Sequence, residues 1–206
     1  KSTYYSESVS VEVKDPYITN GASLTHYFGL GGTVEIPENL SLTQIGEFAF
    51  SNYEYVDKAP EEITDEDPES SKAWFIGDDT IKEVIIPEGV ETISAYAFAN
   101  LTALERVVLP STLTRIDWGA FLGCTSLKTV IGLENVKFIN ESAFQGCSAM
   151  SGSLNLKHTV AIADYAFAGC SSLTGVTLGE SIQSIGMHAF SGNSSMRTLR
   201  IQAPIY

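Results

Sequence analysis

The sequence predicts a mainly β solenoid, a stack of about seven coils that each add one strand to a parallel sheet, with short turns or 3-10 segments on the other side and an N-terminal hairpin cap. Three observations lead there. Ala-Phe pairs place rings at Phe98, Phe121, Phe144, Phe167 and Phe190, 23 residues apart at every step, and identical intervals of this length mark a repeat architecture. Within each period, branched residues alternate with period two, as in Val84-x-Ile86, Val107-x-Leu109 and Val176-x-Leu178, which is the pattern of a short half-buried strand. Finally, 23 residues are too few for two packed helices, whose repeats run to about 33–47 residues.

Residues 1–32 read as an N-terminal tail and capping hairpin, and 33–206 as the repeat domain. Asn20-Gly21 is a hairpin turn signal between Tyr17-Ile18-Thr19 and Leu24-Thr25-His26-Tyr27. Such a hairpin would cover the open end of the stack, where unpaired strand groups invite association. Counting back 23 from Phe98 reaches Phe75, followed by Ile81, Val84 and Ile86 at the later aliphatic positions, so a coil is expected there. Phe50 precedes it by 25 residues. Pro87 and Pro110 end their strands, because proline cannot donate to a ladder. An irregular acidic insert is expected at about 54–72; its stretch "EYVDKAPEEITDEDPE" carries eight acidic residues and one lysine. "MSGSLNLKHTVAI" shifts Leu154 and Leu156 by one register against Val176 and Leu178, as a bulge would. "MRTLRIQAPIY" supplies a final strand without a full coil, so the natural protein is expected to continue.

Composition excludes several functions. A net charge of −13 and only 12 basic residues oppose binding to nucleic acid or anionic membranes, which needs clustered Lys and Arg. No apolar run approaches the roughly 18–20 residues that span a bilayer, so no membrane insertion is expected. Starting at Lys1 rather than Met, the chain reads as a processed product. Gly29, Gly31 and Gly32 in "FGLGGT" lack the third glycine and following helix of a pyrophosphate loop, and no G-x-S-x-G elbow is present. His26, His158 and His188 lie far apart in repeat space and build no metal site, while Cys124, Cys147 and Cys170 recur at one position and read as buried free thiols. No cofactor and no catalytic residue are expected. Asn39, Asn100, Asn140 and Asn193 begin N-x-S/T sequons on turns.

The repeats "VIIPEGVETISAYAFANLTAL", "VVLPSTLTRIDWGAFLGCTSL" and "VTLGESIQSIGMHAFSGNSSM" resemble the 23-residue BspA-like leucine-rich repeats of bacterial and some protozoan surface proteins. The resemblance covers about residues 21–203, including a capping segment before the first coil. It implies a right-handed leucine-rich-repeat stack of the α/β type, an extracellular or cell-surface location, and recognition or adhesion toward a protein or matrix ligand. The alternative is a structural spacer that presents another domain of a longer surface protein.

If recognition is the role, the outward strand positions are where to look. They are Glu83 and Ile85, Arg106 and Val108, Thr129 and Ile131, Gly175 and Thr177, and Thr198 and Arg200. The aliphatic row Ile85, Val108, Ile131, with Arg106 as a charged anchor, is the candidate contact stripe for an extracellular protein. Strand propensity on an open face would produce the same row. A second set, Phe48, Tyr96, Trp118 and Tyr165, is expected to pack in turns, with stacking on sugar rings as the lesser expectation. The chain is expected to be a monomer.

Overall fold

The structure is a computed structural model that describes residues 16–29, 31–52, 76–77 and 79–202. Every coil turns on its Ala-Phe corner. The Phe N–H donates to the carbonyl of the corner alanine one coil further on: Phe98 to Ala120 (2.8 Å), Phe121 to Ala143 (2.8 Å), Phe144 to Ala166 (2.7 Å) and Phe167 to Ala189 (2.8 Å). With the backbone pinned in this way, the rings of Phe98, Phe121, Phe144 and Phe167 lie above one another at 5.1, 5.1 and 5.2 Å, with planes within 7° of parallel. All four rings are completely buried, as are Ala97, Ala120, Ala143 and Ala166 beside them. A larger residue than alanine would have no space at that corner, which explains the recurring pair.

Strands flank this column on two sides. One side is a ladder of two-residue strands: β4 (Gln44–Ile45), β8 (Thr92–Ile93), β10 (Arg115–Ile116), β12 (Phe138–Ile139), β14 (Ala161–Ile162) and β16 (Ser184–Ile185). They pair in parallel, so that Ile45, Ile93, Ile116, Ile139, Ile162 and Ile185 are successive partners. All but Ile185 are buried.

The hairpin of β1 (Tyr17–Asn20) and β2 (Ser23–Tyr27) closes the N-terminal end of this ladder, with Leu24 the partner of Ile45. Its turn includes Gly21 at φ 61°, in the left-handed region that Asn-Gly turns use. Tyr27 copies the corner: its N–H donates to Ala49 O (2.8 Å), and its ring packs on Phe50 at 5.0 Å. Tyr27 is therefore the first ring of the column.

The other side carries β3 (Gly32–Glu35), β7 (Ile81–Ile85), β9 (Arg106–Val108) and β11 (Thr129–Ile131) in one parallel sheet, and β13 (Gly152–Leu156), β15 (Leu173–Leu178) and β17 (Thr198–Ile201) in another. Val34, Val84, Val107 and Val130 are successive partners across the first, Leu154, Val176 and Leu199 across the second. The sheets part at Gly132, whose φ of 89° leads into a 3-10 turn at Leu133–Asn135 and sends Leu133 into the core. The expected bulge follows, with a register shift between Gly152 and Ser153. A slip of one residue would turn the apolar face of β13 outward, and the bulge restores it: Leu156 is completely buried opposite Leu178.

One expectation is corrected. The ring expected at Phe75 falls outside the described residues; Ile81, Val84 and Ile86 are buried at the strand expected there, but that strand belongs to the Phe98 rung, since Phe50 stacks directly on Phe98 at 4.7 Å and Ile45 pairs directly with Ile93. No rung stands between them. The total of about seven rungs is reached instead through Tyr27, followed by Phe50, Phe98, Phe121, Phe144, Phe167 and Phe190. The acidic insert also lies outside the described residues. At its root, β5 (Ser51–Asn52) and β6 (Ile76–Gly77) pair antiparallel, so the chain leaves and rejoins the stack at one place.

Phe144→Ala should cost about 3–5 kcal/mol of unfolding free energy, because the cavity lies between two rings that cannot close on it. Phe190→Ala should cost clearly less, since that ring is only half-buried. Equal shifts in the denaturation midpoint for the two variants would contradict a stack that weakens toward its end.

Candidate functional site

The outward face of the four-stranded sheet gathers most of the residues singled out above. After a register shift between Gly32 and Thr33 its strands run in step, so Thr33, Glu83, Arg106 and Thr129 form one row, and Glu35, Ile85, Val108 and Ile131 the next. Ile131 is exposed, while Ile85 and Val108 are half-buried. The apolar row therefore presents less surface than its composition suggests. Arg106 is occupied too: its guanidinium forms an ion pair with Glu83, which also accepts a hydrogen bond from Thr33 Oγ1 (3.3 Å). Both charges are solvent-accessible, and such pairs contribute little to stability. Thr33 and Glu35 complete the two rows and were not singled out by alternation, because the long interval before Ile81 hides their register.

Thr177 and Arg200 belong elsewhere. They are partners on the three-stranded sheet, where Asn155 precedes them in the row. Gly175 is buried on that sheet, whereas Thr198 is exposed. The candidate residues thus form two patches, divided where the sheets part at Gly132.

The aromatic set occupies a different edge. Phe48, Tyr96, Gly119, Ser142, Tyr165 and His188 recur at one corner of the coil, every one with φ of 55–56°. Left-handed backbone costs a residue with a Cβ about 1–2 kcal/mol, so the corner is held by what surrounds it. Phe48 stacks on Tyr96 (5.4 Å) and Tyr165 on His188 (5.2 Å), the turn packing that was expected. Trp118 belongs one position earlier in the coil and reaches across to Tyr96 at 5.2 Å. Burial, and then the carboxylate of Glu141, push the Tyr96 phenol up. At the N-terminal end of this edge, Ser23, Thr25, His26, Gln44, Glu47 and Phe48 border an open cleft of about 480 Å³.

The three cysteines are core residues. Sγ of Cys124, Cys147 and Cys170 donates to the carbonyl of Phe98, Phe121 and Phe144 in the preceding coil, at 3.1, 3.2 and 3.3 Å. Burial pushes the Cys124 and Cys170 thiols up to about 12, and raises Cys147 strongly as well. Leu101 fills the same position as an apolar residue, and at Asn193 both side-chain polar atoms lack a partner among the described residues. Among the described residues, no three His, Cys, Asp or Glu side chains converge on a metal-sized site, and no helix is long and apolar enough to cross a membrane.

A profile of the BspA-type leucine-rich repeat region, six copies long, matches residues 32–151 and 151–206. The chain belongs to this family. Solved structures agree at the level of the fold. A leucine-rich cell surface protein from Faecalibacterium prausnitzii is 21% identical with a TM-score of 0.61, over 92% of this chain and 55% of that one. A leucine-rich repeat protein from Bacteroides ovatus is 19% identical with a TM-score of 0.56, over 92% and 53%. The leucine-rich repeat protein of Treponema pallidum is 23% identical with a TM-score of 0.55, over 85% and 82%. This chain spans about half the length of the first two. No functionally curated protein matches it.

The buried thiols give this repeat stack a test in solution. The fold favours their neutral form, so the stabilisation is fully present below the ordinary thiol value of about 8.5 and is lost as pH rises from there toward 12. Native protein at pH 8 should leave all three cysteines unlabelled by a thiol reagent, with all three reacting in denaturant. Unfolding free energy should hold between neutrality and pH 8 and fall above about pH 9; rapid native labelling would show the Sγ positions to be open to solvent.

Proposed function

We propose that this chain is a non-enzymatic recognition module of the cell surface or secreted space, which adheres to an extracellular protein or matrix ligand through the outward face of its four-stranded sheet. The observation that carries this reading is the register itself. Three adjacent strands bring Ile85, Val108 and Ile131 into one row, beside a second row of Glu83, Arg106 and Thr129. Apolar side chains next to an oriented Arg-Glu pair combine desolvation with charge selection, which are the two ingredients of a protein contact. Thr177 and Arg200 would add a second, separate contact patch.

The spacer reading is favoured by the same Glu83–Arg106 pair, since an arginine already neutralised on its own sheet offers less to a partner. One experiment separates the two. The purified chain is applied to immobilised extracellular-matrix proteins, and Ile131→Ser and Arg106→Ala are compared with the parent. Recognition through this face predicts a loss of capture of about tenfold, equivalent to about 1.4 kcal/mol, with thermal midpoints unchanged because both residues are solvent-accessible. Capture by no matrix protein, or capture indifferent to both substitutions, would favour the spacer.

A further inference from the structure

The capping hairpin keeps both ends of a rung but shortens the stretch between them. From ladder isoleucine to core ring a coil takes five residues, as from Ile45 to Phe50, Ile93 to Phe98 and Ile116 to Phe121, whereas the hairpin goes from Leu24 to Tyr27 in three. Leu24 is nevertheless the partner of Ile45, and Tyr27 packs on Phe50. Two residues are therefore lacking where a later coil would place its left-handed residue. The open cleft of about 480 Å³ lies at this place, bordered by Thr25 and His26 of the hairpin and by Gln44, Glu47 and Phe48 of the first coil.

The shortening also removes a donor. Further along the stack, each left-handed residue donates its N–H to the carbonyl one position earlier in the next coil: Phe48 to Ala95 (3.4 Å), then Tyr96 to Trp118, Gly119 to Glu141, Ser142 to Asp164 and Tyr165 to Met187 (3.0 Å each). The Glu47 carbonyl holds the same position in the first coil and receives no hydrogen bond among the described residues. More acceptors gather beside it. The Thr25 hydroxyl donates to Ile18 O (3.0 Å) and Gln44 Nε2 donates to Ser94 Oγ, which leaves the Thr25 lone pairs and Gln44 Oε1 to accept. The Glu47 side chain is exposed and makes no hydrogen bond or ion pair among the described residues. Among the described residues, no lysine or arginine borders the cleft. Its apolar wall is Phe48, and at its rim Phe28, 67% exposed, stacks on His26 at 5.8 Å.

We propose that the cleft under the capping hairpin binds a neutral pyranose sugar, its hydroxyls donating to the Glu47 carbonyl and carboxylate and to Gln44 Oε1, its C–H face against Phe48. A pyranose offers what these surroundings call for, several O–H donors on a ring that also has an apolar face. The cleft falls in the range of about 300–1,000 Å³ that small-molecule sites occupy, and it has their make-up of apolar wall and few polar groups. An ammonium group is the poorer occupant: it fills little of that volume, and pairing with an exposed carboxylate contributes little. The proposal does not rest on the four-stranded sheet.

The test is a saturation-transfer NMR titration of the whole chain with the methyl glycosides of glucose, galactose, mannose and N-acetylglucosamine, and with spermidine as the cationic rival. At least one glycoside should bind saturably, with a dissociation constant on the order of 1 mM. Phe48→Leu should weaken it about tenfold and Glu47→Ala about fivefold. Because the Glu47 side chain is exposed, Glu47→Ala should leave the thermal midpoint unchanged, so its result stands even where Phe48→Leu loosens the stack on Tyr96. Arg106→Ala on the sheet face and Trp118→Ala further along the edge should change nothing. No saturable binding of any of the four glycosides, parental affinity in Glu47→Ala, equal loss in Trp118→Ala, or spermidine binding more tightly than every glycoside would each overturn the proposal.

Discussion

The molecule depends on one contact repeated along its length: a phenylalanine N–H bonded to the next corner alanine, with the phenylalanine ring lying flat on the ring beneath it. The backbone bond sets the height of each coil and the ring fills the interior at that height, so neither can change without the other. Spacing along the chain follows. A coil must return to the same corner after one circuit, and from Phe98 to Phe190 it always takes 23 residues to do so. The cysteines complete the unit, since each Sγ satisfies the carbonyl of the phenylalanine one coil back, which backbone bonding leaves with spare acceptor capacity.

Variation is confined to places where this contact is untouched. Between β11 and β13 the outer sheet breaks, yet Phe121, Phe144 and Phe167 keep their spacing to within 0.1 Å. The break is a local matter of Gly132 turning the chain and Gly152 recovering the phase. Its effect reaches the surface, because it divides the outward residues into two patches and leaves Ile131 as the exposed end of the apolar row. Surface organisation is thus decided by small backbone irregularities, while the core follows the period.

That difference accounts for what the sequence could reveal. Phe98 through Phe190 were legible because identity and spacing coincide, and the alternating aliphatics followed from them. Tyr27 was not, since it changes both the ring and its Ala neighbour while keeping the backbone bond. Phe75 misled for the opposite reason: its distance from Phe98 is correct, yet Phe98 packs on Phe50. The left-handed column was invisible because phenylalanine, tyrosine, glycine, serine and histidine share no chemistry there, only a φ angle imposed by the corner. The outward rows could be read from alternation, but the Glu83–Arg106 pair and the half-burial of Ile85 and Val108 arise between coils, and no single repeat contains them.

The antiparallel pairing of Ser51–Asn52 with Ile76–Gly77 has a consequence for how such a rod can diversify. Exit and re-entry points are clamped side by side, so the stack is indifferent to what is strung between them. Closing a longer loop adds only about 0.6 kcal/mol for each doubling of its length. A foreign domain whose own termini lie close together could be spliced into this port, riding on the flank of the rod while the rungs on either side remain engaged.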